Sequence, residues 1–223
     1  MLSIEKQTPE YNSQIPIRRY PLYFFVKSPF HFISACLSAM DIFFLLDSSD
    51  SVGSDNFATA LKFINVLIGE FSGEESYNRF SLITFSTDVQ IVFSLGRYRD
   101  IRIIQNAVKY ARYRPGNTNT ANALKVVEEI AVDALGDRHD AQNVVFVITD
   151  GNGNVNEDET IPAAEVLKKN GARIIPIAVN MQDYSEVEQL ATNAADIYKI
   201  DSFDDLNGIL ENVIQNTCSV EEN

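Results

Sequence analysis

Two apolar runs, Ile42-Phe43-Phe44-Leu45-Leu46 within the segment that opens at Asp41, and Val144-Val145-Phe146-Val147-Ile148, constrain this chain more than any other feature. A strand with one wet face alternates apolar and polar residues, whereas these runs leave no face for water and must be covered on both sides. The coverings are written into the same sequence. Phe57, Leu61, Ile64, Ile68 and Phe71 recur at helical spacing before Ser72-Gly73, and Ala121, Leu124, Val127, Ile130 and Ala134 mark a second helical face. Further helices are expected at 99–112, 160–169 with Asn170-Gly171 closing it, 185–193 and 203–215. Strands are expected at 174–179 and 197–200, and the runs 80–86 and 89–93, separated by Thr87-Asp88, pair as an antiparallel hairpin. Alternating strands and helices with apolar strands give an α/β fold, a mostly parallel sheet with helices on both faces. Ligands of such folds bind beyond the carboxyl ends of the strands.

With 223 residues, 45% of them hydrophobic, the chain can build one large core. The organisation expected is an N-terminal extension over 1–35, poorly ordered, then a domain over 36–218 and a tail over 219–223. The segment Pro21 to Met40 has some features of a displaced signal sequence, but Lys27, Pro29 and His31 interrupt it, and no apolar stretch is long enough for a membrane span. A net charge of −13 repels phosphate backbones, so nucleic acid is excluded as a partner. Cys36 and Cys218 lie near opposite ends of the domain, where a disulfide would tie the termini together in an oxidising compartment. Two free thiols are the alternative.

Three polar clusters sit where the fold would place a ligand. Asp47-Ser48-Ser49-Asp50-Ser51 follows the first central strand, Asn117-Thr118-Asn119-Thr120 opens a helix, and Thr149-Asp150-Gly151 follows the second apolar run. Taken singly, each reads as a cap or a turn. Together they place two carboxylates at the ends of two central strands, where they repel each other unless separated or bridged by a cation. Oxygen donors of this kind suit a hard cation such as Mg²⁺.

In these three segments the chain resembles a von Willebrand factor A domain, the fold of integrin inserted domains and of modules in matrilins and collagen VI. The resemblance runs from about Met40 to Cys218 and rests on Asp47-x-Ser49-x-Ser51, on Thr118 within Gly116-Asn117-Thr118-Asn119-Thr120, and on Asp150-Gly151. It implies a Rossmann-like, doubly wound sheet of six strands with one antiparallel edge strand. It also implies a metal-ion-dependent adhesion site in which Ser49, Ser51 and Thr118 give hydroxyl oxygens while Asp47 and Asp150 act largely through water. Mg²⁺ is the cation implied, with Mn²⁺ or Ca²⁺ as substitutes. A Glu or Asp of an extracellular protein partner, collagen or another matrix protein, would then complete the metal shell. Thr120 is an alternative ligand to Thr118, and the role of Asp50 stays open. The flanking cysteines resemble those of extracellular members, and a Cys36–Cys218 bridge would restrain sliding of the last helix.

Enzymatic readings fit less well. A Mg²⁺-dependent phosphotransferase using Asp47 as nucleophile would need a Lys or Arg beside it, and none occurs in the Asp47 to Asp55 loop or next to Asp150. The two histidines, His31 and His139, make a Ser-His-Asp arrangement improbable, two cysteines do not make a zinc site, and no Gly-rich phosphate loop is present. A structural module with a vestigial metal site and an intracellular relative with reduced cysteines are the remaining alternatives. The absence of an Asn-x-Ser/Thr sequon leaves glycosylation silent on the compartment.

Overall fold

The computed structural model describes residues 36, 39–72, 77–132, 138 and 140–219. The N-terminal extension expected over 1–35 lies outside the described residues, as do Gly73, Ala134 and His139. The strands are β1 (Met40–Asp47), β2 (Arg79–Phe85), β3 (Val89–Phe93), β4 (Gln142–Thr149), β5 (Arg173–Val179) and β6 (Tyr198–Ile200). The helices are α1 (Gly53–Glu70), α2 (Ile101–Lys109), α3 (Thr120–Val132), α4 (Glu157–Lys169), α5 (Ser185–Leu190) and α6 (Leu206–Cys218).

The six strands form one sheet in the order β3-β2-β1-β4-β5-β6. All neighbours are parallel except the β2–β3 hairpin, which makes β3 the antiparallel edge. This is the expected doubly wound fold. All eight residues of β1 are buried, as a strand covered on both faces requires. Alternation along the strand then assigns its side chains to two layers. Phe43 and Leu45 join Val145, Val147, Leu124, Val127, Ala164 and Leu167 in the layer under α3 and α4. On the opposite face Phe44 stacks on Phe146 with ring centroids 5.4 Å apart, and Phe71, at the end of α1, lies 6.2 Å from Phe146.

The helix ends differ from the sequence expectation for local reasons. Helix α2 starts after Asp100, whose carboxylate accepts the Arg102 amide at 2.9 Å and so caps it. Helix α4 starts three residues before the expected 160, because Glu157, Asp158 and Glu159 fill its first turn, where the helix dipole favours negative charge. Helix α5 stops at Leu190, since Thr192 is used instead to accept the Ile174 amide at 2.8 Å. Cys36 and Cys218 form a disulfide with Cα atoms 4.8 Å apart, joining the approach to β1 to the end of α6. No described helix is long and apolar enough to cross a membrane.

Candidate metal centre

The sheet order reverses direction between β1 and β4, so the connections leaving their carboxyl ends part and open a crevice. Asp47 ends β1, and Thr149 ends β4 beside it. The Asp47 carboxylate is fully buried and held at both oxygens: Oδ1 accepts the Ser49 amide at 2.7 Å, and Oδ2 accepts the Thr149 hydroxyl at 2.6 Å. The Gly151 amide donates to the same Thr149 oxygen at 3.2 Å, which folds the β4 loop back over the strand end. Beyond Asp47, Ser51 donates to Oδ1 of Asp150 at 2.8 Å, and the Ser49 and Ser51 hydroxyls lie 3.1 Å apart. Asp47, Ser49, Ser51 and Asp150 thus form one connected group of oxygens drawn from two loops.

The third loop is tied to both. The Asp50 amide donates to Gly116 O at 2.9 Å, while Ser48 donates its hydroxyl to Arg114 O at 2.7 Å and accepts the Arg114 amide at 3.1 Å. Tyr113 donates to Ser49 O at 3.0 Å and packs its ring on Phe57. Thr118 is buried; its amide donates to Asn154 Oδ1 at 2.9 Å, and its carbonyl accepts the amides of Asn154 and Val155 at 2.8 and 3.1 Å. No hydrogen bond to another described residue claims the Thr118 hydroxyl. Thr120 is buried as well, but its hydroxyl faces Gly153 and the second half of the β4 loop, where it lacks a partner among the described residues.

Burial disfavours charge throughout this crevice. Desolvation, offset partly by Thr149 and Ser49 and reinforced by Asp150, pushes the Asp47 carboxyl from 3.8 up to about 6. Asp150 is raised by burial too, against the hydrogen bond from Ser51. Two neighbouring carboxyls whose burial makes the ionised form costlier than usual are the electrostatic setting that a cation relieves. The other donors are neutral hydroxyls, a set suited to a small hard ion. Among the described residues no three His, Cys, Asp or Glu side chains gather into a metal-sized cluster, so the soft or nitrogen-rich sites of other metals are not assembled there.

The von Willebrand factor type A domain family matches residues 41–212. The chain belongs to this family. Human vitrin is 30% identical over 187 residues, covering 82% of this chain and 27% of vitrin. Matrilin-1 of Gallus gallus is 31% identical over 156 residues, covering 70% of this chain and 31% of matrilin-1. This von Willebrand factor A domain therefore spans less than a third of those relatives. Among solved structures, proximal thread matrix protein 1 from the mussel byssus superposes with a TM-score of 0.77 at 28% identity, over 83% of this chain and 49% of that one. The same mussel protein has also been solved with zinc occupying its MIDAS motif, at 27% identity to this chain over 83% of it and 50% of the other. The relatives are matrix proteins, and the domain is extracellular, the setting in which a disulfide such as Cys36–Cys218 persists.

Of the five oxygen-bearing residues expected at the site, four, Asp47, Ser49, Ser51 and Asp150, are joined by hydrogen bonds within one group. Thr118 is brought in through its neighbours, by way of Gly116 and Asn154. Thr149, Tyr113, Asn154 and Glu186 are not among the five expected metal ligands, although Thr149 belongs to one of the three polar clusters. Glu186, buried at the start of α5, accepts the Gly153 amide at 2.9 and 3.1 Å, and burial raises its carboxyl above the usual range. Thr149 carried a signal in its place at the carboxyl end of a central strand, and Tyr113 and Asn154 lie in loops expected to surround the metal; Glu186 carried none.

Proposed function

We propose that this domain is a divalent-cation-dependent protein-binding module of the extracellular matrix, in which Asp47, Ser49, Ser51, Thr118 and Asp150 hold Mg²⁺. The observation that carries the reading is the connected run of Ser49, Ser51 and Asp150 oxygens, with Asp47 fixed at its base by Thr149. When bound, the cation supplies a Lewis-acidic seat for a Glu or Asp side chain of the partner. The residues of the chain do the positioning. Thr149 and the Ser49 amide orient the Asp47 carboxylate, Tyr113 and Ser48 hold the β1 loop against the 113–117 segment, and Asn154 sets the height of Thr118.

Hydroxyl donors leave most of the cation's charge uncompensated, which favours an anionic group from the partner over water. The zinc-occupied motif of the mussel relative supports a divalent ion at this position, and the oxygen-only donor set favours Mg²⁺, with Mn²⁺ or Ca²⁺ as substitutes. Likeness to matrix proteins supports a matrix protein as the class of partner, and collagen is one candidate within it. The module acts by binding, without catalysis.

The test is a thermal melt in EDTA and then in Mg²⁺, Mn²⁺ and Ca²⁺, beside Asp47→Ala. An ion that binds only the folded state raises the midpoint by mass action. A rise in the wild type that vanishes in the variant is the expected result. No rise at millimolar cation would assign the domain to the structural modules that have lost metal binding.

A further inference from the structure

We infer that Glu186 is a positioning residue for the metal centre, holding Thr118 in place through Gly153 and Asn154 and so coupling α5 to the site. This rests on the metal-binding reading above.

Thr118 is fixed from the β4 loop alone at its amide and its carbonyl: Asn154 Oδ1 accepts the former at 2.9 Å, and the amides of Asn154 and Val155 donate to the latter at 2.8 and 3.1 Å. The position of Asn154 therefore sets the position of Thr118. Asn154 in turn follows Gly153, whose amide is gripped by both oxygens of the Glu186 carboxylate at 2.9 and 3.1 Å. A carboxylate is a strong acceptor for a backbone amide, and this one is buried, so water competes poorly for the bond. The approach is close on every side. A Cβ at position 153 would lie 3.3 Å from the Thr120 and Thr160 hydroxyl oxygens and 3.4 Å from Glu186 Oε2, so the loop packs with its backbone directly against these groups. A second link, from Asn152 Nδ2 to Asp183 Oδ2 at 3.3 Å, joins the same loop to the residues just before α5, but it is exposed and long. Glu186 is the buried link.

The experiment has two arms, with Glu186→Ala and Glu186→Gln. Gln keeps an oxygen able to accept the Gly153 amide, and Ala does not. In EDTA, amide hydrogen exchange is followed by NMR at Gly153, Asn154 and Thr118, with Val145 in β4 as the internal control. Glu186→Ala should speed exchange at the three loop amides about tenfold and leave Val145 unchanged, with Glu186→Gln close to wild type. Unchanged protection of Thr118, an equal change at Val145, or a Gln variant as exposed as the Ala variant would each overturn the assignment. In the second arm Mn²⁺ is titrated into the three proteins, and Glu186→Ala should bind several-fold more weakly than the other two. Equal Mn²⁺ affinities across all three would also overturn it. A wild type that binds no Mn²⁺ would instead sink the metal reading, and the exchange arm, which contains no metal, then decides the role of Glu186 by itself.

Discussion

Thr149 donates its hydroxyl proton to Oδ2 of Asp47 at 2.6 Å, from the last residue of β4 to the last residue of β1. The bond ties together the two strands between which the crevice opens. It also favours the ionised carboxylate, against the desolvation that raises it. Thr149→Val keeps the branched shape and leaves Asp47 Oδ2 without its donor. Metal-free unfolding in urea at pH 7 should show a loss of about 1–3 kcal/mol, the cost of an unsatisfied buried acceptor. The rise in midpoint on adding Mg²⁺ should shrink in the same variant, because the carboxylate loses its orientation.

The Asp47–Thr149 pair also marks what could be read from the residues alone. The strands were legible because β1 and β4 are covered on both faces and so carry unbroken apolar runs. The carboxylates were legible because each follows such a run. Glu186 was not, since its role depends on α5 packing beside a loop 33 residues away, and no local pattern records that meeting. Asn154 was hidden for the same reason, 36 residues from the Thr118 amide it accepts. Helix α4 begins three residues before the expected 160 because its first turn is the acidic run Glu157-Asp158-Glu159, which carries no apolar residue to mark helical spacing yet suits the positive end of the helix dipole.

Asp47 gives the metal-free domain a pH dependence of unusual sign. Its folded pKa, about 6, lies above the ordinary 3.8, so the folded state holds the proton more tightly than the unfolded chain. The stabilising contribution is complete below the unfolded value and is lost as pH rises through about 6. The displacement corresponds to at most about 3 kcal/mol. In EDTA the wild type should therefore lose stability between pH 4 and about 7 relative to Asp47→Asn, which cannot ionise there. Parallel curves for the two proteins, followed by urea unfolding across that range, would show that the Asp47 carboxyl is not perturbed.

At the other end of β1, Asp41 is fully buried and paired with Arg138, whose Nη2 donates to Asp41 Oδ1 at 2.7 Å and to Met40 O at 2.9 Å. Arg138→Ala leaves that carboxylate in the core without its counter-charge and should cost about 3–5 kcal/mol. Replacing both partners, Asp41→Leu with Arg138→Met, should recover much of the loss, since no charge is then left buried. Urea midpoints of the wild type, the single variant and the pair measure it, and a pair as unstable as the single variant would show that Arg138 matters through its backbone contacts instead.

The Cys36–Cys218 bridge closes a loop spanning 182 positions, nearly the whole domain. In the chain-entropy account a loop of that length contributes roughly 5 kcal/mol by restricting the unfolded chain. A domain of this size shifts its midpoint by about 2–4 °C per kcal/mol, so reduction should lower the melting temperature by roughly 10–20 °C. A variant with both cysteines replaced by Ser should match the reduced wild type, which separates the bridge from side effects of the reductant. The bridge also fastens the last turn of α6 to the segment entering β1, and we expect it to restrain that helix from sliding. If the restraint bears on binding, the oxidised and reduced proteins will differ in partner affinity as well as in stability. Equal affinities with unequal midpoints would confine the bridge to stabilising the fold.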